Sequence, residues 1–177
     1  EGYDFDFINP DALLSEISVK GGKAVTGSGK EYKVICLDRN CTRMSLEILK
    51  KIALLASRGV IICGQVPSVP ASMYDSRTEF EAIVKDIWFS GRENVFGGTW
   101  LDEVMLTSGI SPDLKVLRGR DIRSVHRTLQ EGEIYWVNSP VSESQSVEVS
   151  LRVCGLKPQK WDPMNGEVSD LSYRFDE

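Results

Sequence analysis

The sequence predicts an α/β layer domain followed by a β-rich, sandwich-like segment. Two continuous apolar runs, at 32–37 and 60–63, flank a stretch with helical periodicity, the pattern of a strand–helix–strand unit in a parallel sheet. Apolar and polar residues alternate strictly over 146–153, and this period of two indicates a half-buried strand. We therefore predict an α/β domain over 1–120 and a β-rich segment over 121–177.

The composition is that of a folded globular protein. Hydrophobic residues make up 41% and charged residues 27% of the 177 positions, enough for one good core and a small second module. The net charge is −5 and the basic residues are scattered, which argues against a nucleic-acid partner. No apolar run approaches the roughly 20 residues that span a bilayer. Residues 1–4 lack both a Met start and a signal pattern, so we expect the chain to begin within a longer polypeptide.

The N-terminal region predicts a strand, a helix and a hairpin. Aromatic and acidic residues alternate over 3–8, as in a half-buried strand. Asn9 is a suitable N-cap for a short helix over 12–16. The segments 17–19 and 23–26 flank a pair of glycines, which indicates a hairpin.

The predicted strand–helix–strand unit has clear boundaries. The helix begins after Ser45, a plausible N-cap, and ends at Gly59. The same patterns predict two further helices, over 76–89 and 99–108, and two further strands, over 123–125 and 134–137.

The four cysteines predict neither a disulfide framework nor a metal site. Their spacing is irregular, and Cys36 and Cys63 lie inside apolar runs, so we expect both to be buried thiols. Residues 27–30 resemble a phosphate-binding loop, but Ala24 and Glu31 stand where that motif requires Gly and Ser or Thr. The sequence therefore predicts no cofactor.

Nucleophilic catalysis has one candidate. Ligands of α/β sheets collect at the carboxyl ends of the strands, here 38–41 and 64–67. Cys41 lies there between two arginines, and His126, the only histidine, is the available base for an amidotransferase-like enzyme. No glycine-flanked nucleophile elbow surrounds Cys41, which argues against this role.

Acidic residues supply no specific catalytic pair. Glycosidic bond hydrolysis needs two carboxyl groups about 5–10 Å apart, and 26 acidic residues make many pairs inevitable. Asp102 and Glu103 fit a solvated helix face. We assign no catalytic residue.

Four residues are candidates for binding a sugar substrate. His126 and Arg127 follow a predicted strand, and Trp161 and Asp162 begin a turn that ends at 165–166. Aromatic faces bury sugar C–H surface, while Arg, His and Asp form directional hydrogen bonds. The alternative is a structural corner or an interdomain contact.

The order of motifs resembles glycoside hydrolase family 106, the α-L-rhamnosidase family of large bacterial glycosidases. The resemblance rests on stretches spread over nearly the whole chain, namely 3–14, 32–37, 44–59, 109–113, 126–127, 134–138 and 161–167. One departure lies at 38–41, where related sequences more often have a Leu-Pro-type strand exit.

The resemblance implies a flavodoxin-like or class I glutamine-amidotransferase-like parallel sheet that follows a catalytic (β/α)8 barrel. The acid and base carboxylates are then expected upstream of Glu1, in a secreted or periplasmic bacterial enzyme that acts on carbohydrate. This chain would be an inactive accessory fragment that supports the barrel and its substrate cleft. Other glycosidases use similar domains for oligomer contacts, which keeps assembly open as a role. An independent carbohydrate-binding module, centred on Trp136 or Trp161, is a further alternative.

Overall fold

The computed structural model describes residues 2–175, which form two compact units. We call residues 6–110 the α/β unit, and residues 2–5 with 111–175 the β-rich unit. The division falls earlier in the chain than residue 120, and the domain assignment 1–120 and 121–177 stays a prediction. The coarser expectation, a mixed α/β chain with a β-rich C-terminal segment, is confirmed.

The α/β unit contains four helices and eight short strands. Its helices are α1 (Pro10–Ser15), α2 (Leu46–Ser57), α3 (Arg77–Trp88) and α4 (Leu101–Thr107). Its strands are β1 (Ser18–Lys20), β2 (Lys23–Val25), β3 (Glu31–Tyr32), β4 (Val34–Leu37), β5 (Arg43–Met44), β6 (Ile61–Gly64), β7 (Val69–Pro70) and β8 (Val95–Gly97).

Side-chain caps begin three of the four helices. The side chains of Asn9, Ser45 and Ser76 each accept a hydrogen bond from the backbone N–H three residues later. Each cap satisfies a donor that the first helical turn leaves unpaired. The predicted helices are therefore confirmed, as are the predicted caps Asn9 and Ser45; the cap at Ser76 was not predicted. Helix α4 also forms, without a side-chain cap.

A parallel sheet of order β4-β6-β8 lies at the centre of the α/β unit. The middle strand, β6, is almost fully buried, as its apolar sequence predicts. Strand β4 lies at the edge of the sheet. Cys36 on β4 is exposed, whereas Cys63 on β6 is fully buried. The expectation that Cys36 is a buried thiol is wrong, because an apolar run does not reveal that its strand has a neighbour on one side only.

The hydrophobic core lies between this sheet and helices α2 and α3. Leu49, Ile52 and Leu55 on α2 are fully buried, and Phe80 and Ile87 on α3 join the same cluster. Helical spacing places each set on one face of its helix, and burying that face supplies most of the stability of such a helix.

Two further small sheets complete the α/β unit. Strands β1, β2 and β3 form an antiparallel sheet, which confirms the predicted hairpin. The very short strands β5 and β7 pair in parallel and carry no sequence signal of their own. Residues 3–8 lie outside all strands, so the predicted strand there is wrong. Alternating residues form a strand only where a sheet buries one of their faces, and Phe7 is 94% exposed.

The β-rich unit is built from two-stranded antiparallel sheets. Its strands are β9 (Leu114–Arg118), β10 (Arg123–Thr128), β11 (Glu133–Asn138), β12 (Glu148–Leu151), β13 (Gln159–Trp161) and β14 (Val168–Asp170). The pairs are β10 with β11, β9 with β12, and β13 with β14. Three of these strands match the predicted ones, while the sandwich-like arrangement stays a prediction. Among residues 2–175, no helix is both long and apolar enough to cross a membrane.

Candidate functional site

Several charged side chains of the β-rich unit surround His126. His126 lies on β10 directly opposite Tyr135 on β11. Their rings are stacked, with centroids 4.2 Å apart and an angle of 6° between the planes. Side chains of directly opposed residues in an antiparallel pair lie close enough to interact, so the register of the two strands creates this stack.

Two carboxylates hold the imidazole of His126. Its Nε2 lies 2.8 Å from Oε2 of Glu133, and its Nδ1 lies 3.5 Å from Oδ1 of Asp113. The histidine side chain is only 15% exposed. Asp113 also forms an ion pair with Arg152. We call Asp113, His126, Glu133, Tyr135 and Arg152 the His126 network.

The charges of the network shift the pKa values of its members. Burial alone would raise the pKa of Asp113, but the hydrogen bond and the positive charge of Arg152 outweigh burial and lower it. The same hydrogen bond raises the pKa of Arg152. The hydrogen bond with His126 lowers the pKa of Glu133. Both carboxyl groups are therefore ionised at neutral pH and act as acceptors.

Arg127, the neighbour of His126, has its own acidic partner. Its Nη1 lies 3.2 Å from Oδ2 of Asp4 and also donates a hydrogen bond of 2.8 Å to the carbonyl of His126. The other carboxylate oxygen of Asp4 accepts a hydrogen bond of 3.4 Å from the backbone N–H of His126. Asp4 thereby ties the N-terminal segment to β10.

A cavity of about 520 Å³ lies beside the His126 network, and both Glu133 and Arg152 line it. Its other walls include the apolar side chains of Leu129, Val153 and Leu156. The hydroxyl of Tyr135 is buried without a hydrogen-bond partner in the part of the chain that the structure describes. Burial raises the pKa of this hydroxyl, so it stays protonated and remains a potential donor.

Trp161 and Asp162 lie elsewhere in the β-rich unit, on the hairpin of β13 and β14. Asp162 Oδ1 accepts a hydrogen bond of 2.8 Å from the N–H of Met164, which stabilises the predicted turn. Trp161 is 72% exposed. Within residues 2–175, no hydrogen bond or ion pair joins Trp161 or Asp162 to His126 or Arg127. The four predicted residues thus lie in two places, and their role in binding stays a prediction.

The candidate nucleophile Cys41 lacks the properties of an activated thiol. Burial raises its pKa, and the nearby charge of Asp38 raises it further. Activation requires the opposite shift, because the thiolate is the nucleophile. Asp102 and Glu103 are exposed in the first turn of α4, as expected for a solvated helix face. Among the described residues, no three His, Cys, Asp or Glu side chains converge as metal ligands.

Sequence reasoning found His126 but missed its partners. Asp113 and Arg152 lie far apart in the sequence, and their pairing depends on the antiparallel contact of β9 with β12. Glu133 and Tyr135 have the i, i+2 spacing of one strand face, which is a usable signal. That this strand face lies next to His126 follows only from the register of β10 against β11.

Comparison with known proteins identifies the class to which the chain belongs. Residues 1–175 match glycoside hydrolase family 106, whose description is alpha-L-rhamnosidase. The chain belongs to this family, and the resemblance found in the sequence is confirmed.

Two relatives define the similarity further. The solved structure of a rhamnosidase from Novosphingobium sp. PP1Y has a TM-score of 0.88 and 28% identity, covering 97% of this chain and 18% of that chain. A protein of Formosa agariphila named "Putative beta-glucuronidase" is 27% identical over 172 residues, which are 94% of this chain and 14% of the relative. The chain therefore spans less than one fifth of the length of either relative.

Proposed function

We propose that this chain is a non-catalytic accessory part of a larger bacterial glycoside hydrolase of the α-L-rhamnosidase type. The proposal rests on one observation: the family match extends over residues 1–175, yet the chain corresponds to only 14% and 18% of the two relatives. A part of this size leaves ample length for a catalytic domain. We place the acid and base carboxylates in an upstream (β/α)8 barrel of the same polypeptide, which this chain supports.

The electrostatics of the His126 network are consistent with an accessory role. A glycosidase needs one carboxyl group that stays protonated near neutral pH, which requires a raised pKa. The pKa values of Asp113 and Glu133 are both lowered. Neither group is therefore suited to protonate a leaving glycosidic oxygen, and both are suited to hold His126 and Arg152 in place as acceptors.

The finer fold assignment belongs to this proposal. The parallel strands β4, β6 and β8 alternate with helices, as they do in flavodoxin-like and class I glutamine-amidotransferase-like domains. Such a layer would pack against the barrel. The parent enzyme would work in the periplasm or outside the cell, where its carbohydrate substrate is found.

The four predicted residues would contribute contacts to the substrate cleft of the parent enzyme. His126 and Arg127 lie in a network of fixed charges near a cavity, and the exposed indole of Trp161 offers an apolar face to a sugar ring. Asp162 uses its Oδ1 in the turn, and its Oδ2 would accept a hydrogen bond from a sugar hydroxyl.

Hydrolysis of aryl α-L-rhamnosides tests the proposal. We would assay the chain alone beside a longer protein that includes the upstream barrel, at equal concentration. The expected result is turnover by the longer protein only. Hydrolysis by the chain alone would overturn the accessory role and return attention to the carboxylate pairs of this chain.

An independent carbohydrate-binding module is the second candidate. The exposure of Trp136 and Trp161, 55% and 72%, favours it. This candidate predicts that the chain alone binds a sugar and that Trp161→Ala weakens the binding. An amidotransferase-like enzyme with Cys41 and His126 is the weakest candidate, because the pKa of Cys41 is raised.

A further inference from the structure

The side chains of Arg39 and Trp100 are in contact, and the proposed function assigns no role to either residue. The guanidinium carbon of Arg39 lies 4.3 Å from the centroid of the Trp100 ring. An arginine at this distance is attracted by the negative face of the indole, which holds the flat guanidinium against the ring. Within residues 2–175, the Arg39 side chain has no carboxylate partner, so its N–H donors are not used by the protein.

The pair lies at the carboxyl end of the parallel sheet. Leu37, Gly64 and Gly97 are neighbours in the last rung of β4, β6 and β8. Arg39 follows β4 after one residue, and Trp100 immediately precedes α4. In parallel α/β sheets, ligands bind outside this end of the strands, since the loops there converge on one edge.

Hydrogen bonds join the loop before α4 to the sheet, and a bond within the loop after β4 holds that loop in shape. The N–H of Gly64 donates to the carbonyl of Thr99 at 3.1 Å, and the N–H of Gly98 donates to the carbonyl of Gly64 at 2.8 Å. In the loop after β4, the N–H of Asn40 donates to Asp38 Oδ1 at 2.8 Å. These bonds fix the backbone on either side of the pair, so a ligand would meet groups that are already in position.

The chemistry of the pair fits an acidic sugar. The planar fork of a guanidinium matches the two oxygens of a carboxylate, and stacking leaves its N–H edge accessible. Trp100 is 40% exposed, and its free indole surface can cover the C–H groups of a sugar ring. Together, these features recognise a sugar that carries a carboxylate next to an apolar ring face.

We propose that Arg39 and Trp100 form a binding site for a carboxylate-bearing sugar unit. The ligand class rests on the proposed carbohydrate role of the chain, while the site itself uses neither His126 nor Trp161. Arg39 binds the carboxylate, and Trp100 holds the guanidinium in place and packs against the ring.

Calorimetric titration of the longer protein that includes the barrel tests this site. Methyl β-D-glucuronide and methyl β-D-glucoside are suitable probes, because they differ only in the carboxylate. We expect Arg39→Gln to weaken glucuronide binding about tenfold or more, the effect of losing a charged hydrogen bond. Glucoside binding should change little. Trp100→Ala should weaken the binding of both sugars.

Arg58→Gln is the matched control. Arg58 is also exposed in the α/β unit, but it caps the C-terminal end of α2, ahead of β6, at the opposite end of the strands. It should leave both affinities unchanged. Equal effects of Arg39→Gln and Arg58→Gln, or no difference between the two sugars in the unmodified protein, would overturn the proposal. Because the readout is binding, the result is separate from the hydrolysis assay that tests the accessory role.

Discussion

Different kinds of interaction stabilise the two units of this chain. The α/β unit contains the whole hydrophobic cluster, in which Leu49, Ile52 and Phe80 are almost completely buried. In the β-rich unit, Leu114 is the only hydrophobic residue of the described part that is buried. There, the strands pair two by two, and charged contacts such as those of Asp113 are prominent.

The comparison indicates that the β-rich unit depends less on apolar burial than the α/β unit does. Apolar burial stabilises the α/β unit, because each Å² of apolar surface that is removed from water makes the free energy of folding more favourable. Two-stranded sheets with exposed faces are marginal by themselves. We therefore expect the β-rich unit to be the less stable one, and its charged contacts to matter more for its order than ion pairs do in the α/β unit.

The largest effect should come from Phe80→Ala in the core of the α/β unit. Phe80 is 1% exposed, and its loss leaves a cavity that should lower the free energy of unfolding by about 3–5 kcal/mol. Phe89→Ala is the control, since Phe89 is 71% exposed at the end of α3 and should cost less than about 1 kcal/mol. Urea denaturation measures both. Equal losses would mean that the core is not where the structure places it.

Gly64→Ala should have the next largest effect, about 2–4 kcal/mol. Gly64 has a φ of +95°, and a Cβ there would overlap the carbonyl oxygen of Leu37. Backbone atoms cannot rotate away, so the sheet itself must shift. Gly29→Ala shares the positive φ, +87°, but its Cβ would meet open space, and it should cost only the backbone strain of about 1 kcal/mol. The difference between their unfolding midpoints isolates the steric part.

Asp113→Asn should destabilise the β-rich unit by about 1–2 kcal/mol and leave the α/β unit unchanged. The side chain is 15% exposed and holds both His126 and Arg152, although solvent screening at the half-exposed Arg152 reduces the effect. Hydrogen exchange read by mass spectrometry resolves the two units. Equal loss of protection in both units would contradict an effect confined to the β-rich unit.

The same network predicts acid sensitivity. The pKa values of Asp113 and Glu133 are lowered in the folded protein, so their stabilisation is complete above their ordinary values of 3.8 and 4.5. It is lost as the pH falls through the lowered values. Protection factors in the β-rich unit, which correct for the intrinsic dependence of amide exchange on pH, should therefore fall as the pH drops below about 4.5, and Asp113→Asn should reduce that dependence. Protection that stays constant down to about pH 3 would rule out this linkage.

The smallest effect concerns Cys36 and should not alter stability. A hydrogen bond from Cys63 lowers the pKa of Cys36 to about 7, and the same bond with burial raises the pKa of Cys63. Because Cys36 is exposed, iodoacetamide should modify it with a rate that rises around pH 7, while Cys63 stays unmodified. Peptide mass spectrometry follows both sites, and exposed Cys154 serves as an internal reference. Cys63→Ala removes the donor, so it should return the reactivity of Cys36 to that of Cys154.

Helices were predicted better than isolated strands, for a physical reason. The caps Asn9 and Ser45 act on backbone groups within the same turn, so the sequence alone reveals them. The alternation at 3–8 resembles that of a true strand, but residues 3–8 belong to no strand of the structure, because alternation does not show whether a sheet is available. Cys36 shows the same limit, because burial in a sheet depends on the neighbours of its strand.

The family, the helices, the caps Asn9 and Ser45 and the buried strand β6 could be predicted from the sequence, since these depend on local spacing and on the order of motifs. The contacts between charged side chains could not, because they depend on the tertiary structure. Asp113 contacts Arg152, and His126 stacks on Tyr135, because strand pairs and their registers bring them together. Arg39 reaches Trp100 because two loops leave one edge of a parallel sheet. Hydrogen bonds between distant strands set these distances, and no local pattern encodes them.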